Sequence, residues 1–308
     1  MTRGGNPYPT GNSVTGVARP EGLAPLAAPG STVATADAAQ PQPGRGGPAH
    51  GWSQAGPLRH GWVRLLLGLI LPALIVTVWQ LNSVTGLFSA VQVPPPAAVF
   101  NAAVELIQRG ELWTHVGIST QRVLLGFTFG AALGLAVGSV VGLSRIADAL
   151  LAPTIGALRA VPSLAWVPLL ILWMKIGEDS KITLILIGAF FPVFTTVYLA
   201  LRHVDRNLVE AGRAFGLNGF KLLTTVQLPA VIPSVFSGLR LGLAQAWLFL
   251  VAAELIASSL GLGYLLSDSQ NNGRVDRIFL AIILLAVIGK TTDALLGIAE
   301  KWAVRRWA

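Results

Sequence analysis

The sequence predicts an all-α membrane protein with six transmembrane helices. Three observations carry that reading. Of 308 residues, 53% are hydrophobic and only 12% charged, against about 25% charged in an ordinary soluble domain. Six apolar stretches recur at lengths near the ~20 residues that cross ~30 Å of hydrocarbon. Lysine and arginine also fall unevenly between the two sides of the resulting topology, as they do in membrane proteins. The chain has no cysteine, which excludes disulfide frameworks, thiolate metal sites and thiol nucleophiles. The net charge of +8 is read as serving topology, not nucleic-acid binding.

In chain order, residues 1–57 carry 11 glycines and 9 prolines and show no helical or strand periodicity. Such a stretch cannot bury enough apolar surface to offset the entropy of ordering and is expected to be a disordered cytoplasmic tail. Its lack of a short apolar run before Trp62 speaks against a cleavable signal peptide. The membrane domain occupies 58–308. Its spans are expected at 62–81, 123–143, about 156–174, 182–201, 234–257 and 278–297. The third lies in an apolar stretch, 150–174, interrupted by Arg159, Pro153, Pro162 and Pro168, so it is expected to start with a break. Six crossings put both termini on one side. Eleven lysines and arginines then flank that side and five the other, which makes it the cytoplasmic one.

Within the second span, Gly126, Gly130, Gly134, Gly138 and Gly142 recur at strict four-residue spacing. Small residues on one face let a neighbouring helix approach closely, a main source of helix association in lipid; a helix-packing role is predicted over one in lining a pore. The loop between the fourth and fifth spans, about 202–233, reads as two short helices. Asp205 is placed to cap the first, which runs to Phe215, and Gly216 can stop it with a positive φ. Asn218 is placed to cap the second, 219–228, which Pro229 is expected to end. Such an elbow is an amphipathic connector, a nucleic-acid helix-turn-helix or a docking knob for a cytoplasmic partner. Spans close on both sides argue against the nucleic-acid reading.

Glu210-Ala211-Gly212, Gly216 and Val226-Gln227-Leu228-Pro229 together resemble the EAA loop of ATP-binding-cassette importer permeases. That pattern is Glu-Ala-Ala, a Gly four residues past the last Ala, nine further residues, then Ile-x-Leu-Pro. Every spacing is met, with Gly212 in place of the second Ala and Val226 in place of Ile. The resemblance extends over about 60–308 and is similar to the branch importing aliphatic sulfonates, taurine and nitrate. It includes Pro94-Pro95-Pro96, Arg122 with Gly126-Phe127, Val161-Pro162-Ser163, Glu254-Leu255-Ile256 and Gly261-Leu262-Gly263-Tyr264-Leu265. Gly289-Lys290-Thr291-Thr292-Asp293 resembles the sulfonate subgroup in particular.

The resemblance implies a type I importer permease (MetI-like) fold in the bacterial inner membrane and a transporter subunit that is not itself an enzyme. A second copy would complete a homodimer. Two cytoplasmic ATPase subunits would bind the ATP and Mg, and an extracytoplasmic substrate-binding protein would deliver the cargo. Glu210 and Gly216 would set the geometry of the loop, and Phe215, Leu217 and Phe220 would meet the ATPase.

Other motifs point elsewhere. Gly289-Lys290-Thr291 has Leu284 where a phosphate-binding loop needs its first Gly, so no cofactor is expected on this chain. The four histidines have no metal-ligand spacing. Glu254 has two readings, a gate on the substrate path or a structural partner of Arg122 and backbone groups. Arg240 is expected to snorkel to the inner interface. Arg159, Ser163 and Gln245 are candidates for donors along the path. A stand-alone channel or carrier would show inverted repeats, and a membrane enzyme would show a polar cluster at one depth; neither is apparent.

Overall fold

The computed structural model describes residues 61–307 except Leu87 and Ala90; the expectation for residues 1–57 lies outside that range. In order, the elements are α1 (Gly61–Thr85), α2 (Pro96–Gln108), α3 (Glu111–Leu143), α4 (Arg145–Ala160), α5 (Trp166–Met174) and α6 (Glu178–Arg202). Then come α7 (Arg206–Ala214), α8 (Gly219–Leu222), α9 (Leu228–Ala257), α10 (Leu262–Asn271) and α11 (Val275–Trp307). Among the described residues all regular structure is helical.

Among the described residues five helical stretches are long and apolar enough to cross a membrane, and α4 with α5 makes a sixth if that pair is one broken span. The break is sharp, 80°, and has a local cause. Pro162 has no N–H and forces Val161 into an extended conformation (φ −70°, ψ 125°) that ends α4. A 3₁₀ turn at Ser163–Ala165 then leads into α5. The second span is longer than predicted: α3 begins at Glu111, so Arg122 sits inside a helix.

The core is the trio α3, α6 and α9. Apolar side chains gain little by leaving lipid for one another, so the helices must gain from close contact. The four-residue glycine row of α3 supplies it. A Cβ at Gly126 would lie 2.6 Å from that of Ile185, and one at Gly130 would lie 2.5 Å from the Leu186 carbonyl oxygen. Gly134, Gly138 and Gly142 meet Val193, Val197 and Leu201 in the same way. The α6 residues follow the same four-residue step, so two matching ridges and grooves run parallel along the pair. Helix α9 packs antiparallel to α6: Gly242 faces Val193, Gly238 faces Thr196, and Gly188 lies against the Phe249 ring.

The remaining helices attach through apolar packing, as where α2, α10 and α11 share a buried cluster, and through polar contacts. Trp247 Nε1 donates to Thr292 Oγ1 at 3.1 Å and joins α9 to α11. Arg240 is held in a two-pronged pair by Asp293 of α11, at 2.8 and 3.0 Å. The carboxylate three residues from Lys290 was within its reach, and a fork-to-fork pair outcompetes an isolated guanidinium at the lipid boundary. At the opposite end of the bundle, Glu105 of α2 receives Arg274 at 2.8 Å and Arg277 at 3.0 Å. The hydrogen bond from Arg274 holds the Glu105 carboxyl below the usual carboxylate range.

Replacing Gly134 with Leu would drive four carbons into Val193 and the Phe190 carbonyl. The expected cost is at least about 3 kcal/mol, read as loss of monodisperse protein on detergent extraction. Unchanged yield and melting temperature would contradict the packing assignment.

Candidate functional site

The loop after α6 folds as a compact elbow. Asp205 Oδ1 accepts the Asn207 N–H at 2.8 Å and caps α7. The helix ends in a Schellman motif: Leu217 N–H donates to the Gly212 carbonyl at 3.0 Å and Gly216 N–H to that of Arg213 at 2.9 Å. Gly216 closes it at φ +79°, a conformation that a Cβ disfavours by roughly 1–2 kcal/mol. Gly212 is buried where α7 crosses the next segment, and a Cβ there would approach Leu222 Cδ1 to 2.7 Å. Absence of a methyl at this position therefore lets the two arms of the elbow close on each other.

The second arm differs from its predicted form. Asn218 makes no side-chain capping bond to α8, and Pro229 does not end the helix. Instead α8 runs through a π turn at Leu223–Gln227 straight into α9, so that Gly219–Ala257 is one continuous stretch. Pro229 falls in the first turn of α9, directly after the π turn. The wide π turn just before it relieves the ring's clash with the preceding turn. The elbow is thus the end of a transmembrane helix and not a separate unit. On its surface Phe215 and Phe220 are 86% and 77% exposed, with Leu217 half-buried between them and Ala211, Leu228 and Pro229 along the arms. Glu210 pairs with Arg206 along α7 at 2.7 Å.

A polar cluster lies at the other end of α9, about 45 Å away for a helix of 30 residues. Glu254 is 1% exposed and Arg122 4% exposed. Arg122 Nη1 donates to Glu254 at 2.7 Å, while its Nε and Nη2 grip Glu178 at 2.7 and 2.6 Å. Arg122 Nη1 also reaches the Leu260 carbonyl at 2.7 Å, and Lys181 bonds Glu178 at 3.0 Å. The first N–H groups of α10 have no partners in their own helix, and side chains from elsewhere supply them. Gly263 N–H donates to Glu254 at 2.8 Å, Leu262 N–H to Ser119 Oγ at 2.8 Å and Gly261 N–H to His115 Nδ1 at 3.0 Å. A carboxylate at a helix N-terminus also suits the local dipole. Gly261, at φ +121°, has the Glu254 carboxylate packed against its Cα.

Of the predicted path residues, Arg159, Ser163 and Gln245 come together in one groove of about 350 Å³, which Thr195 and Thr196 also line. Glu254 does not line it. Sequence reasoning missed Ser119, Glu178, Lys181, Thr195 and Thr196. A signal existed for the first: His115, Ser119, Arg122 and Gly126 share one helical face at spacings of four, three and four. Among the described residues no group of His, Asp and Glu is arranged to hold a metal ion.

An all-α, multi-span bundle with this loop between two spans defines the membrane component of a transporter. Residues 127–305 match the family described as binding-protein-dependent transport system inner membrane component, and the chain belongs to that family. It is 42% identical over 246 residues to the aliphatic sulfonates transport permease SsuC of Bacillus subtilis, covering 80% of this chain and 88% of that one. It is 41% identical over 244 residues to SsuC of Escherichia coli, covering 79% and 93%. The taurine transport permease TauC of Escherichia coli is 33% identical over 231 residues, covering 73% and 83%. The chain is a multi-pass inner-membrane permease subunit of an ATP-binding-cassette importer. It works with a partner ATPase, which carries the ATP-hydrolysing machinery.

Glu254→Ala would strand Arg122 with one carboxylate fewer and leave the Gly263 N–H without an acceptor. Breaking a buried pair costs about 3–5 kcal/mol, so the variant should lose most of its thermal stability in detergent, with Glu254→Gln losing less. A melting temperature within a degree of wild type for Glu254→Ala would contradict the clamp.

Proposed function

We propose that this permease imports aliphatic sulfonates as a homodimer, with two ATPase subunits on the cytoplasmic face and a substrate-binding protein on the outer face. The observation that carries the substrate is the likeness to two SsuC proteins at 42% and 41% identity over nearly their whole lengths. Taurine or nitrate, cargoes of the same branch, are the alternative.

In this reading the elbow is cytoplasmic and both termini lie on its side. Phe215 and Phe220 offer the ATPase two apolar anchors of large exposed area, and such aromatic anchors commonly dominate interface energetics. Glu210 and Gly216 hold α7 at a fixed angle to them. ATP binding closes the ATPase pair and brings the two elbows together. Because the second arm is continuous with α9, that motion passes into the membrane as movement of a rigid rod. The trio of α3, α6 and α9 then rocks to open outward, and hydrolysis returns it. The buried Glu254–Arg122 pair supports a structural role for Glu254, binding the outer end of α9 to α3 and α10 so that the rod does not fray where a loaded binding protein docks. Selectivity rests largely with that binding protein.

The experiment is uptake of ethanesulfonate, taurine and nitrate by proteoliposomes holding the whole transporter, with and without ATP. The expected result is ATP-dependent uptake of ethanesulfonate in preference to the other two; flux without nucleotide or partner subunits would overturn the importer reading. Phe220→Asp should reduce co-purifying ATPase at least ten-fold while membrane insertion is normal. Gly216→Pro should leave ATP hydrolysis uncoupled from uptake. Full transport by both variants would contradict the docking assignment.

A further inference from the structure

Three of the long helices' arginines are neutralised where they stand. Arg122 holds Glu178 and Glu254, Arg202 holds Asp148, and Arg240 holds Asp293 and Glu300. Arg159 is different. Its partner is a neutral hydroxyl, Thr195 Oγ1, at 3.1 Å, and among the described residues no carboxylate lies within ion-pairing distance of it. A guanidinium left without a counter-ion within a broken span is costly unless water or an anion reaches it.

The surroundings of Arg159 are built of donors. The groove of about 350 Å³ has no acidic residue in its wall; its polar side chains are Arg159, Ser163, Thr195, Thr196 and Gln245. They come from four elements, α4, the 3₁₀ turn after it, α6 and α9. The backbone there is also irregular. The α4–α5 break of 80° places Arg159 and Ser163 on either side of a bend, and Pro192, inside α6, lines the same groove. A proline lacks the N–H that would bond the carbonyl four residues earlier, so the Gly188 carbonyl, also in the groove wall, loses its helical donor. Irregular backbone at membrane depth is tolerated where it lines a water-filled cavity. The bend, the proline and the uncompensated charge all fall on one groove.

We infer that this groove is a wet way-station for a small monoanion with several equivalent oxygens, such as a sulfonate, with Arg159 as its charge partner and Thr195, Ser163 and Gln245 as further donors. The inference rests on the importer reading for the identity of the anion and on geometry alone for the site. A planar guanidinium can meet two oxygens of such a head at once. The short hydroxyl and amide donors bond it without adding charge that would trap it. The alkyl tail of the anion would lie against Leu241 and Phe249, the apolar part of the same wall.

The absence of native cysteine gives a direct test in the assembled transporter. Thr195→Cys places a thiol in the groove, to be treated with an anionic sulfonate reagent (MTSES) and a cationic one of similar size (MTSET). After correction for their intrinsic rates, the anionic reagent should react at least ten-fold faster. Ethanesulfonate should slow it, Arg159→Gln should abolish the preference, and Arg159→Lys should restore part of it. A thiol inert to both reagents, or equal rates that do not depend on Arg159, would overturn the way-station. Uptake by the transporter with Thr195 intact is measured separately. Failure to import any sulfonate with the labelling preference present would remove the proposed function and leave the groove, and the reverse pattern would remove the groove alone.

Discussion

The bundle depends on how close α3 can come to α6. In hydrocarbon two leucines gain almost nothing by touching each other instead of lipid, so cohesion must come from dispersion between closely packed surfaces and from polar groups that need partners. The five glycines of α3 leave the α6 ridge of Ile185, Ala189, Val193, Val197 and Leu201 seated directly on the α3 backbone. With Gly238 and Gly242 of α9 also pressed against α6, the three helices pack as one body. The coupling proposed for the protein needs that body to be stiff. An elbow can transmit force only if the helix continuing from it is attached to something that does not yield.

The two ends of α9 solve opposite problems. At the loop end the apolar residues Phe215 and Phe220 stand in the open on arms locked by a Schellman turn and by Gly212, which suits a surface that a partner covers. At the far end Arg122, Lys181 and Glu254 are buried, and the exposed Glu178 pairs with both cations. Arg122 serves two carboxylates and a carbonyl, and the α10 N–H groups are satisfied from α3 and α9. A terminus clamped in this way resists fraying, which is what the coupling proposed for residues 210–228 requires of the far end of α9. The groove around Arg159 lies between these ends, at the 80° bend from α4 to α5.

What could be read from the chain followed the range of the interaction involved. Span positions, the glycine row, the Asp205 cap and the positive φ at Gly216 are decided by residues within a turn or two of each other, and the residues themselves announce them. The run-on of α8 into α9 was not legible, because a proline normally ends a helix and nothing local announces the π turn that accommodates it. The fate of Arg240 was settled 53 residues away by Asp293. The far-end cluster joins positions up to 146 residues apart, so only Arg122 and Glu254, both odd in an apolar span, stood out. Thr195 and Thr196 gave no sign, since a threonine in a span ordinarily bonds its own backbone.

The most direct test of the central claim is a pair of distances measured in the assembled transporter with and without ATP. Spin labels at Lys221→Cys and Ser259→Cys report the length of the elbow and α9 within one copy, and a label at Lys221→Cys alone reports the separation of the two elbows. The account predicts that ATP shortens the distance between elbows while the distance within a copy stays the same. A change within the copy, with the elbows fixed relative to each other, would contradict it.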